Sequence, residues 1–227
     1  MLYTYPKQAY FGKVIAKSKI YEHAAISSSL KEKFVSQVDK IIWQYKLAPE
    51  TTNLSATTAV PEIQIFDIRL KGKEIDEALL KAIDKAIPFP IIFQLHQDDR
   101  VKVKAAYKRP SDADKAKWVT EAYVESEWMP VTEKRTSLPV ALDLEKLYEQ
   151  ILKSLIPDSL PTLEKQSSMK EQMELIEAIK AKERDYDKLK AERDKEKQFN
   201  KKVKLNEQLH TLKIELEQLK KTHKNPA

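Results

Sequence analysis

Hydrophobic and polar positions follow no period over residues 1–27, where Lys7, Lys13, Lys17 and Lys19 are scattered. Order begins at Ser27-Ser28-Ser29, which offer N-caps to a helix carrying Leu30, Phe34 and Val38 at four-residue spacing. Residues 41–47 (Ile-Ile-Trp-Gln-Tyr-Lys-Leu) then read as a strand, because β-branched and aromatic side chains outweigh any helical period. A polar loop over 48–61 separates this strand from a second at 62–70. Lys71-Gly72-Lys73 turns into a helix with Ile75, Leu79, Ala82, Ile83 and Ala86 on one face, and Pro88 and Pro90 end it. A third strand covers 91–95, and a turn at 97–100 leads into a fourth at 101–108. The fourth alternates strictly: Val101, Val103, Ala105 and Tyr107 on one face, Lys102, Lys104, Ala106 and Lys108 on the other. Residues 118–128 form a fifth strand, and a helix with Leu144, Leu147, Ile151 and Leu155 on one side follows a loop from Pro130 to Pro139.

Helix, two strands, helix, three strands, helix is an order that mixes hairpins with at least one crossover. It predicts an α+β fold, a mixed β-sheet with about three packing helices. The linker is read at residues 156–161, which divides the chain into an α+β domain at 1–161 and a charged helical extension at 162–227. From 163 to 224 there is neither Gly nor Pro, and two apolar registers appear. One runs through Leu175, Ile179, Tyr186, Leu189 and Val203, with Lys182, Arg193, Glu196 and Asn200 at intervening positions. The other runs through Leu205, Leu209, Leu212, Leu216 and Leu219 at the four-three spacing of a coiled-coil seam. The phase slips between Val203 and Leu205, so the extension either breaks into a helical hairpin near 199–206 or changes partner there. Its leucine stripe needs a surface to bury against: its own tail, a second copy or another protein.

Composition narrows the chemistry. Two glycines in 227 residues leave no means of writing a phosphate-cradling Walker loop or a dinucleotide fingerprint. The absence of cysteine removes disulfides, thiolate metal sites and thiol nucleophiles, and fits a reducing cytoplasm. No apolar run reaches the length of a membrane span, and the N-terminus lacks the order of a signal peptide. Net charge is +6, from 41 basic and 35 acidic residues, and both halves are mildly basic. That balance permits contact with DNA without requiring it.

Candidate sites are few. Lys102, Lys104 and Lys108, with Arg109, could track a phosphate backbone as a nucleic-acid-binding set; a solvated outer face or a lysine-protected edge strand explains the same pattern. Leu205, Leu209, Leu212, Leu216 and Leu219 are the candidate partner-binding residues. Asp67 lies in phase with Ile63, Ile65 and Arg69, and a carboxylate on an apolar strand could serve a metal-dependent nuclease. Such a site needs a second acid and a lysine at short spacing on the next strand. The nearest string, Asp98-Asp99-Arg100-Val101-Lys102, lies in a turn, so pairing of Asp67 with Arg69 is the expectation. His23, His96, His210 and His223 show no helical metal-ligand spacing, and His96 with Asp98 and Asp99 reads as turn chemistry. No metal, cofactor or catalytic residue is assigned.

Several strings resemble a bacterial family, the domain of unknown function 4391. They are the run from Trp43 to Leu54 (Trp-Gln-Tyr-Lys-Leu-Ala-Pro-Glu-Thr-Thr-Asn-Leu), 62–66, 83–88, Phe93, Tyr107-Lys108-Arg109 and the tail string 199–206. The resemblance implies a setting beside DNA methyltransferases and helicase-type restriction proteins in defence regions. It brings no activity and no catalytic residue. The expectation is a non-catalytic accessory subunit of a DNA-modification or phage-defence complex, docking on a larger helicase or methyltransferase through its tail. The alternatives are a metal-dependent nuclease using Asp67 and a homodimeric DNA-binding module.

Overall fold

The computed structural model describes residues 2–114, 117–163 and 167–221; His223 lies outside the described residues. The chain divides into two compact units, Met1–Pro157 and Asp158–Ala227.

The first unit begins with β1 (Tyr3–Thr4), a 3-10 turn, β2 (Tyr10–Val14) and α1 (Lys17–Ala24). The aperiodic N-terminal stretch is therefore structured. Its elements are too short to show a period, and β2 bends at Gly12, whose φ of 65° suits glycine and where a Cβ would fall 2.4 Å from the Tyr10 hydroxyl. Then come α2 (Ser28–Gln37), β3 (Val38–Leu47), the single turn α3 (Pro49–Thr52), β4 (Ile63–Leu70), α4 (Glu77–Ala86) and β5 (Ile91–Gln97). β6 (Arg100–Pro110), β7 (Trp118–Glu125), β8 (Met129–Pro130), β9 (Thr136–Ser137) and α5 (Leu144–Leu155) complete it. Polar side chains start the helices as local chemistry requires. Ser27, Asp76 and Asp143 accept from the backbone N–H groups of Leu30, Ala78 and Lys146.

Seven strands form one mixed sheet in the order β2-β3-β4-β5-β6-β7, with β8 added on β6; β1 and β9 make a separate parallel pair. Within the large sheet β4 and β5 run parallel, joined by the α4 crossover, and the other pairings are antiparallel. α1, α2 and α4 cover one face, over a core that includes Phe34, Ile41, Phe66, Leu80, Ile83 and Phe93. α5 lies on the opposite face, with Leu147, Tyr148, Ile151 and Leu152 buried and the Tyr148 ring stacked 6.3 Å from that of Tyr107. Each such side chain taken from water contributes about 1.5–3 kcal/mol.

The second unit is a helical arm: α6 (Met169–Lys195), a break at 196–198, and α7 (Phe199–Lys221). Ser168 and Glu171 form a capping box at the start of α6, and Gln172 holds the preceding segment by accepting from Leu163 N–H and donating to Pro161 C=O. The two helices pack antiparallel. Lys220 pairs with Glu183 at 2.6 Å, Lys182 pairs with Glu215, and Arg193 reaches Asn206. Of the polar residues interrupting the first register, Lys182 and Arg193 thus reach across to α7, while Glu196 accepts from the N–H groups of Lys197 and Gln198 in the break. Among the described residues no helix is long and apolar enough to cross a membrane.

Candidate functional site

The carboxyl ends of a parallel strand pair, where the connection changes to a crossover, are where α/β sheets leave a crevice. At the ends of β4 and β5 there is a cleft of ≈ 490 Å³, lined by Asp39, Asp67, Arg69, Leu70, Lys71, His96 and Asp98. Register explains the gathering. Asp67 lies opposite Gln94 and Arg69 opposite His96 across the parallel pair, so all four share one sheet face. Asp39 comes from β3, where Val38 pairs with Leu70 and Lys40 with Arg69, leaving Asp39 as the extra residue of a bulge. Bulges re-aim a side chain that regular pleating would send elsewhere. Asp98, at the turn into β6, adopts a left-handed φ of 51°.

Asp67 is held from behind. Its Oδ1 accepts from Gln94 Nε2 at 2.9 Å, with His96 Nε2 at 3.4 Å from the same oxygen. Gln94 is itself buried, and its Oε1 accepts from Arg135 Nη1, which also donates to Tyr3 C=O at 3.0 Å. Tyr5 is buried nearby: desolvation pushes its hydroxyl up, opposed by Arg135 and reinforced by Asp67, so it stays neutral. The expected Asp67–Arg69 pair does not form; Asp67 turns to its β5 neighbours. Lys71 donates to Val35 C=O at 2.8 Å from the cleft wall. No group of three candidate metal ligands gathers among the described residues. One or two carboxylates suffice for Mg²⁺, however, when phosphate oxygens and water complete its shell.

The lysine set is placed differently from the solvated or edge face that the alternation suggested. β6 is an interior strand, and α4 covers the side carrying Lys102, Lys104 and Lys108. Lys108 is 2 % exposed and donates to Asp84 C=O and Ile87 C=O at the end of α4, so it cannot reach a phosphate. Asp84 also accepts from the Tyr123 hydroxyl. Lys102 and Lys104 both pair with Glu125 at 2.8 Å, and Lys104 also with Glu77. Arg109 pairs with Glu121 and Asp112. Strand alternation shows which residues share a face and is silent on what covers it.

The leucine stripe lies on the covered side of α7. Leu209 is buried, and Leu205, Leu212, Leu216 and Leu219 are half-buried within the arm. Neither Asp39 nor Arg135 stood out in the sequence, and Lys71 was read only as part of a turn. For Asp39 the reason is the direct passage from α2 to β3: Val38 continues the helical spacing of Leu30 and Phe34 yet starts the strand.

The model of a family described as Domain of unknown function (DUF4391) matches residues 4–216. Neither a curated protein nor a solved structure matches the chain.

Proposed function

We propose that this chain, which belongs to the DUF4391 family, acts on nucleic acid in a bacterial DNA-modification or phage-defence setting, with the β4–β5 cleft as a divalent-metal-dependent phosphodiester site. The observation that carries the reading is the pairing of β3 with β4. It sets Asp39 in the same cleft as Asp67 and Arg69, which are two residues apart on one strand, with Lys71 just beyond. A carboxylate on one strand, and a carboxylate followed at i+2 by a cation on its neighbour, supply the second acid and the cation that the linear sequence lacked.

Asp39 and Asp67 are the residues that would hold the cation, which supplies Lewis-acid activation of water and neutralises charge on the phosphate. Gln94 orients Asp67 through Oδ1 and leaves Oδ2 for a ligand. Arg69 and Lys71, which line the cleft, would supply fixed positive charge to the phosphate oxygens. His96 is placed to take or give a proton next to Asp67. Three carboxylates against two permanent cations would repel a phosphodiester, so the reading requires the divalent cation for binding as well as for reaction.

The test is incubation of the full chain with supercoiled and linear DNA in Mg²⁺ or Mn²⁺. Nicking that disappears in Asp67→Asn and in Asp39→Asn, both folded, is the expected outcome. Intact DNA with either metal, together with DNA affinity that ignores the metal, would overturn it.

A second reading is the accessory subunit that docks on a larger helicase or methyltransferase through the arm. It is favoured by the exposed Phe199, Val203 and Ile214 on α7, which lie away from the covered leucines. Recovery of one large partner by the wild type, lost on Val203→Asp with Ile214→Asp, would support it.

A further inference from the structure

The charge of +6 is concentrated. Residues 188–204, where α6 gives way to α7, hold eight basic and three acidic side chains, a net +5. The remainder of the chain is close to neutral. Arg193 is, among the described residues, the one basic residue of this stretch with an ion pair, to Asp194. Among the described residues, Lys188, Lys190 and Lys195 on α6, Lys197 in the break, and Lys201, Lys202 and Lys204 on α7 make no ion pair, and only Lys201 has a carboxylate, Glu196, acting on it from nearby. All seven are exposed. This is the reverse of Lys102, Lys104 and Arg109, whose charges are spent on Glu77, Glu121 and Glu125. Between the two basic runs stands Phe199, 78 % exposed, at the first position of α7.

At about 1.5 Å rise per residue, the basic run of α6 covers roughly 10 Å of helix and that of α7 roughly 5 Å, and the antiparallel turn brings both to one end of the arm. Seven lysines without an ion pair at such spacing repel one another, a cost that a polyanion relieves. Lysine binds phosphate as a point charge, so the contact it makes is with backbone and carries little sequence preference. An exposed ring among those charges adds a face on which an unpaired base can stack. An anionic bilayer would ask for a continuous apolar face below the charges; here Phe199 and Val203 stand among polar neighbours.

We infer that the tip of the α6–α7 arm is a nucleic-acid contact that grips the phosphate backbone through its lysines, with Phe199 placed against an unpaired base. This surface is independent of the β4–β5 cleft and goes beyond the function proposed for it.

The experiment measures binding of the full chain to a labelled single strand and to its duplex, by anisotropy, in EDTA so that the cleft contributes nothing. Affinity should fall steeply between about 50 and 200 mM salt, with a log–log slope near −4 for four or five phosphates. Lys197→Gln with Lys201→Gln, Lys202→Gln and Lys204→Gln should weaken binding at least tenfold and flatten the slope by about three, with far-UV helicity unchanged. Phe199→Ala should weaken the single strand about tenfold and the duplex little. Lys102→Gln with Lys104→Gln should leave affinity unaltered, and because the cleft needs a divalent cation, binding in EDTA separates failure of this surface from failure of the cleft. Equal affinity in the quadruple variant would overturn the proposal. So would a preference of the wild type for phosphatidylserine vesicles over either nucleic acid.

Discussion

Replacing Lys108 by Met keeps the unbranched stem of the side chain and removes its ammonium, which isolates what a buried charge does under α4. Lys108 Nζ serves the carbonyls of Asp84 and Ile87, and its nearest charge is Asp84 Oδ1 at 3.5 Å. Loss of hydrogen bonds from a charged donor costs about 1.5–3 kcal/mol each, and breaking a buried pair from one side costs about 3–5 kcal/mol overall. Against a typical total of about 5–15 kcal/mol, that is a large share. The defect should depend on pH. Burial pushes the Asp84 carboxyl up to about 6, with Lys108 and Tyr123 opposing. A carboxyl raised in the folded state binds more protons folded than unfolded, so its contribution falls as pH rises from about 4 to about 6. Without Lys108 the folded value climbs further and the loss extends to higher pH. Urea unfolding followed by tryptophan fluorescence should therefore give a deficit of about 3–5 kcal/mol at pH 8 and a clearly smaller one at pH 5. Lys108→Met with Asp84→Asn should recover most of the loss at pH 8, because no buried charge is then left alone. A deficit below about 1 kcal/mol at pH 8, or one that grows towards pH 5, would refute the argument.

Two further outcomes follow from the packing. Residues 1–157 expressed alone should show a single cooperative melt, because sheet, α4 and α5 supply their own core; aggregation or a gradual transition would contradict this. Leu209→Asp places a charge at the buried seam of the arm, where Leu209 is 5 % exposed, and should lower helicity without moving the melt of the first unit. Unchanged helicity would mean that the leucine stripe does not hold α7 on α6.

Much of the local structure was legible in the residues. Ser27, the 75–86 and 144–155 periodicities and the alternation at 101–108 each describe a segment in terms of its own neighbours, and α2, α4, α5 and β6 form there. The out-of-phase registers of the tail call for a break near 199–206; the chain breaks just before it, at 196–198, and 199–206 is the first part of α7. Asp67 stood out because a charge on an apolar strand is costly unless something answers it. What answers it was not legible. Gln94 and His96 meet Asp67 through the parallel register set by the α4 crossover, and Asp39 arrives through a bulge that depends on how β3 pairs with β4. The lysines of β6 show the same limit. Their shared face follows from a period of two, but whether water or α4 covers that face is decided by residues more than twenty positions away. Periodicity is a property of one segment; neighbours across a sheet, and the partners of buried charges, are properties of pairs distant in the chain, and only the tertiary structure brings those pairs together.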